Sequence, residues 1–99
     1  MLIIAGHIRT QPSLVEALAR DLRAGIPRTL NEDGCLAYCF ALDDAAAGTI
    51  LVYERWRDQA SLDAHLAAPE IAEFLGRWAG KADPVVRKFD AANERDVMG

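Results

Sequence analysis

The run Gly48–Trp56, GTILVYERW, restricts what this chain can fold into more than any other segment. Side chains alternate across a strand, so Ile50, Val52, Glu54 and Trp56 share one face while Leu51, Tyr53, Arg55 and Arg57 share the other. Large apolar groups stand on both. An antiparallel strand with one wet face alternates cleanly between apolar and polar residues, so this one has to be covered twice. Glu54 sits where a core residue is expected.

The segment after the strand brings chemistry to the same face. Asp58 holds an N-cap position before a helix over Gln59–Leu66, its carboxylate free to accept from the first backbone N–H groups. In that helix Leu62, His65 and Leu66 have i, i+3, i+4 spacing, which turns His65 inward. A carboxylate, an indole and an imidazole (Glu54, Trp56 and His65) thus converge from a strand and the helix after it. Pro69 starts a second short helix with Ile71, Phe74, Leu75 and Trp78 on its inner stripe, and Gly80 ends it.

The remaining segments supply the layers around this unit. Leu2–Arg9 is apolar on both faces and reads as a central strand, with His7 on the face of Ile3 and Ala5. From Pro12, the spacing of Leu14, Leu18, Leu22 and Ile26 predicts an amphipathic helix whose regular part ends at Gly25 and Pro27, with one further turn through Leu30. Gly34 opens a strand, CLAYCFALDD, placing Leu36, Tyr38, Phe40 and Leu42 on one face and Cys35, Ala37, Cys39 and Ala41 on the other. The short connection Asp43–Gly48 makes an antiparallel hairpin with the next strand. A last strand, Val85–Asp90, alternates Val85, Arg87 and Phe89 against Val86, Lys88 and Asp90.

The order βαββααβ defines a ferredoxin-like α+β fold with helices on one face of an antiparallel sheet, here one domain over residues 1–99. Residues 91–99 carry no pattern and read as a mobile tail or an arm reaching a neighbour. Helices cover one sheet face only. A symmetric homodimer, sheet against sheet, would cover the other.

Composition removes several function classes. A net charge of -4 leaves no basic face for a nucleic-acid backbone. No apolar run approaches the ~20 residues that span a bilayer, and MLIIAGHIRT lacks the basic start of a signal peptide, so a cytoplasmic protein without membrane partners is expected. Cys35 and Cys39, four apart on one strand, lie about 13 Å from each other and cannot pair, which leaves them as small buried thiols. Two histidines without clustered thiolates or carboxylates imply no metal site.

The pattern LVYERWRDQASLDAHLAAPEIAEF, with EDGCLAYCF before it, resembles the antibiotic-biosynthesis monooxygenase family of dimeric α+β barrel proteins, which includes quinol monooxygenase-like members. That resemblance implies a pocket between helices and sheet in each subunit, sized for a flat aromatic or small cyclic carbonyl compound. It also implies cofactor-free oxygen chemistry, in which the deprotonated phenolic substrate itself gives an electron to dioxygen. Trp56 and His65 match the family's pocket positions and Glu54 its strand acid, whereas His7 stands where haem-degrading relatives carry asparagine. In chemical terms His65 is the candidate base, because an unperturbed imidazole titrates near neutrality. Glu54, its pKa raised by burial, would orient that ring or shuttle the proton, and the Trp56 indole N–H would bond a developing oxyanion. Trp78 and Phe74 would wall the pocket, with His7 beside the ligand and Arg87 as an anion contact or the ion-pair partner of Glu54. The alternative reading is a non-oxidative isomerase or a ligand-binding protein of the same fold.

Overall fold

The computed structural model describes residues 1–99. Strand β1 (Leu2–Thr10) leads through a 3-10 turn at Pro12–Leu14 into α1 (Val15–Ala24) and α2 (Ile26–Leu30). The hairpin β2 (Cys35–Asp44) and β3 (Thr49–Trp56) comes next, then α3 (Gln59–Leu66), α4 (Pro69–Trp78) and β4 (Ala82–Asp90). The strands form one antiparallel sheet in the order β2-β3-β1-β4, the ferredoxin-like arrangement expected from βαββααβ.

Register explains which side chains meet the helices. Leu2 pairs with Trp56, Ile4 with Glu54 and Ile8 with Ile50, so the even-numbered residues of β1 and β3 form one face. Against it α1 presents Val15, Leu18, Ala19 and Leu22, making a core with Ile8, Ile50 and Val52. A second core joins Leu2, Ile4, Tyr38, Trp56 and Leu62 under α3. Leu18, Ile50 and Trp56 are completely buried, each contributing on the order of 1.5–3 kcal/mol through the apolar area removed from water.

Three local departures from simple alternation have physical causes. The β2–β3 register steps from Cys35↔Trp56 to Ala37↔Arg55, so Leu36 is a bulge residue and Cys35 turns toward the Trp56 core instead of sharing a face with Cys39. Cys39, paired with Tyr53 on the face away from the helices, is exposed rather than buried. Strand β4 begins three residues earlier than its apolar run, because Pro84 sits on an edge strand that needs no further donor. Between β1 and β4 the backbones come so close that Gly6, at φ +154°, has no room for a Cβ: one would collide with the Val85 carbonyl oxygen.

The far face of the sheet is uncovered. Leu51, Tyr53, Val85 and Phe89 are exposed there, with Ile3, Ala5 and His7 half-buried among them. Residues 91–99 form neither helix nor strand; the Ala91 N–H donates to the Met1 carbonyl and Arg55 pairs with Glu94 at 2.6 Å. No helix is long and apolar enough to cross a membrane.

Candidate active site

The site begins at the end of β3. Asp58 accepts from the Ser61 backbone N–H at 2.9 Å and from the Ser61 hydroxyl at 2.7 Å, and those bonds hold its carboxyl down at about 2. This cap starts α3 immediately after the strand, so that two turns later His65 faces back over Trp56. The imidazole is 3% exposed, tilted on the Trp56 indole at 4.8 Å between centroids and edge-on to Tyr38 at 5.3 Å. Its Nδ1 lies 2.9 Å from Oε1 of Glu32, while Nε2 has no hydrogen-bond partner in the chain.

Glu32 belongs to the turn between α2 and β2. Gly34, at φ +82°, bends the chain there, and a Cβ at this position would collide with the Ser61 hydroxyl in the first turn of α3. The turn is thereby pressed against the helix that carries His65. Arg28 Nη1 lies 3.3 Å from the same Glu32 oxygen and 3.7 Å from Oε2 of Glu70 on α4.

Glu54 is buried beside this group. Its Oε1 accepts from the Trp56 indole N–H at 2.9 Å, and Oε2 has no partner in the chain. Burial pushes its carboxyl up, opposed by the Trp56 bond and by the nearby His65. Tyr38, opposite Glu54 on β2, is raised above the ordinary phenol value of 10 by burial and by the Glu54 carboxylate, so it remains a hydroxyl donor at neutral pH. Tyr38, Phe40, Glu54 and His65 line a cavity of about 710 Å³, walled outside by Ile71 and Phe74 of α4.

Of the residues singled out in the sequence, Glu54, His65 and Phe74 meet at this cavity, and Arg87 borders it from the edge strand without bonding Glu54. Trp56 lies beneath, its indole N–H already bonded to Glu54, which leaves no donor for a developing oxyanion. The partner of the imidazole is Glu32 rather than Glu54, because Glu54 and Trp56, two apart on one strand face, bond each other. Trp78 is not in the cavity wall: its N–H donates to Asp21 of α1 at 2.7 Å. The same carboxylate takes two bonds from Arg77, which hold it below the ordinary carboxylate range, so Asp21 clasps the end of α4 to α1. His7 lies on the opposite face of the sheet, since Gly6 and Ile8 are the residues of β1 that face the helices.

Three residues of the site, Tyr38, Glu32 and Arg28, were missed from sequence. The alternation of β2 with β3 would have placed Tyr38 next to Glu54. The i, i+4 spacing of Arg28 and Glu32 would have suggested their contact, but nothing in the sequence points from Glu32 to His65, 33 residues away.

A four-stranded antiparallel sheet with a buried acid and imidazole facing a cavity under its helices defines a ferredoxin-like α+β pocket protein. The antibiotic biosynthesis monooxygenase family description matches residues 1–77, and the chain belongs to that family. It is 30% identical to the Escherichia coli protein named "Probable quinol monooxygenase YgiN" over 84 residues, covering 75% of this chain and 81% of that one. An uncharacterised Synechocystis protein is 31% identical over 74 residues, 75% of this chain, and the match spans only 50% of that relative's length. The solved structure of an antibiotic biosynthesis monooxygenase candidate from Deinococcus radiodurans superposes with a TM-score of 0.88 at 24% identity, covering 100% of both chains. The Rv0793 structure from Mycobacterium tuberculosis gives 0.80 at 27% identity, covering 96% of this chain and 97% of that one.

Proposed function

We propose that this chain is a cofactor-independent monooxygenase acting on a small hydroxylated aromatic compound or quinol, with His65 and Glu54 as its acid–base pair. The observation that carries the reading is the pair itself: a free imidazole Nε2 and a free oxygen of a carboxyl raised by burial face one aromatic-walled cavity. Family membership supports the oxygenase class, and the 30% identity to a protein named as a quinol monooxygenase supports the substrate class.

The chemistry balances without a further reductant. His65 Nε2 takes a proton from the substrate, and the anion gives one electron to dioxygen. The resulting superoxide and substrate radical join, and the proton taken up by His65, relayed through Glu54, makes the product a hydroperoxide. Loss of water from a CH–OOH centre then leaves a carbonyl, so that CH2 and O2 become C=O and H2O. The Tyr38 hydroxyl is a donor for the substrate oxygen while negative charge is delocalised onto it. Phe40 and Phe74 supply flat apolar contact.

A homodimer belongs to the same reading. Leu51, Tyr53 and Phe89 leave an apolar sheet face that a second copy would bury, with residues 91–99 as an arm at its edge. So does a cytoplasmic location, which the free thiols of Cys35 and Cys39 suit. Oxygen uptake against a panel of hydroquinones and polyhydroxylated anthracene-type phenols tests the reading. Wild type should exceed the autoxidation blank, and His65→Ala and Glu54→Gln should each lose about 10²- to 10⁴-fold in kcat, the usual contribution of a general acid or base. Uptake equal in wild type and variants would remove the pair from the mechanism. Thermal stabilisation by the same compounds without uptake would instead favour isomerisation or binding.

A further inference from the structure

We infer that Glu32 is the positioning residue of His65: it holds the imidazole as the Nδ1–H tautomer and so presents Nε2, as the proton acceptor, to whatever occupies the cavity. The catalytic consequence rests on the reading of His65 as the base; the tautomer does not.

Which groups can donate decides where the ring hydrogen sits. Oε1 of Glu32 is shared by Arg28 Nη1 at 3.3 Å and His65 Nδ1 at 2.9 Å. A guanidinium has donors and no acceptor, so the oxygen it approaches is an acceptor. Nδ1 must then carry the hydrogen. In a neutral ring that leaves the lone pair on Nε2, which has no partner in the chain and belongs to a residue lining the cavity. Neighbouring rings keep the orientation, since the imidazole is packed between Trp56 and Tyr38.

The other polar groups around the ring do not compete for Nδ1. Tyr38 faces it from β2 with its ring edge-on. Glu54 on β3 is bonded to Trp56. Glu70 on α4 reaches Arg28, and on α3 itself Asp63 accepts from Gln59. Glu32 alone bonds the ring, from a turn that no cavity-lining pattern would select.

The test is the imidazole nitrogen spectrum at alkaline pH, recorded on the full chain by long-range 1H–15N correlation. The chain has two histidines, so a His7→Asn sample assigns His65. Wild type should show one tautomer, with Nε2 unprotonated. In Glu32→Ala no acceptor is left for Nδ1, so both tautomers should appear while the rest of the spectrum and the melting temperature stay close to wild type. Where oxygen uptake is measurable, kcat should fall by as much as about 10²- to 10⁴-fold, and KM should change little. A wild-type ring protonated at Nε2 overturns the inference whether or not the variant folds, and so does a tautomer unchanged in folded Glu32→Ala. Absence of oxygen uptake in every sample would defeat the monooxygenase reading while the spectra still decide this one.

Discussion

Glu54 shows how one residue can be legible in sequence as an anomaly while its hydrogen-bond partner is not. Its place among Ile50, Val52 and Trp56 marks a buried carboxyl, and the structure buries it. Its partner was not legible, because a hydrogen bond between neighbours on one strand and one reaching across the fold leave the same alternation. Burial has a thermodynamic consequence. Below 4.5, the ordinary glutamate value, the carboxyl is protonated in both folded and unfolded chains and contributes no pH dependence. As pH rises past 4.5 the unfolded chain ionises first, so the folded state loses stability until its own raised value is passed. Glu54→Gln keeps an acceptor for the Trp56 indole and removes that loss. Urea unfolding should therefore shift in the variant's favour as pH climbs from 4.5 toward neutrality, by at most about 1.4 kcal/mol per pH unit. A difference between the two proteins that is independent of pH would mean that burial does not disfavour the Glu54 carboxylate.

At the scale of elements, α3 is the most legible: its Asp58 cap, its extent and its inward His65 are as the spacing predicts. Caps and apolar stripes are local, and a local signal suffices. The Leu36 bulge was not legible because a bulge is a property of two strands in register, and neither strand alone reveals it. Helix α4 carries the predicted stripe, yet no residue in it is buried: Ile71, Phe74 and Leu75 line the cavity, while Trp78 packs against the α1 core. The cap permits a second test. Asp58 is held near 2, below the ordinary 3.8, so its stabilisation is present above 3.8 and is lost as pH falls toward 2. Asp58→Ala should melt at a lower temperature than wild type at neutral pH, and the gap should close in acid. Because α3 carries His65, ring protons of the variant's imidazole should also broaden; an unchanged melting temperature would show that packing alone holds the helix.

For the whole molecule, the strand apolar on both faces is the decisive sign. It predicts an antiparallel sheet with helices on one side and an uncovered apolar surface on the other, and both are present. The occupant of that surface is a question for solution measurement. Light scattering should give the mass of two chains, and Tyr53→Glu, which places charge in the middle of the open face, should give the mass of one. A single-chain mass for wild type across micromolar concentrations would contradict the homodimer. Because folding and association would then be coupled, the melting temperature of wild type should rise with protein concentration and that of Tyr53→Glu should not.

Isotopic labelling of the oxygen atoms tests the central claim most directly. Turnover of a phenolic substrate under 18O2 should place one labelled atom in the product carbonyl and the other in water, with both yields lost in His65→Ala. Product without label, or hydrogen peroxide formed in place of water, would contradict the account.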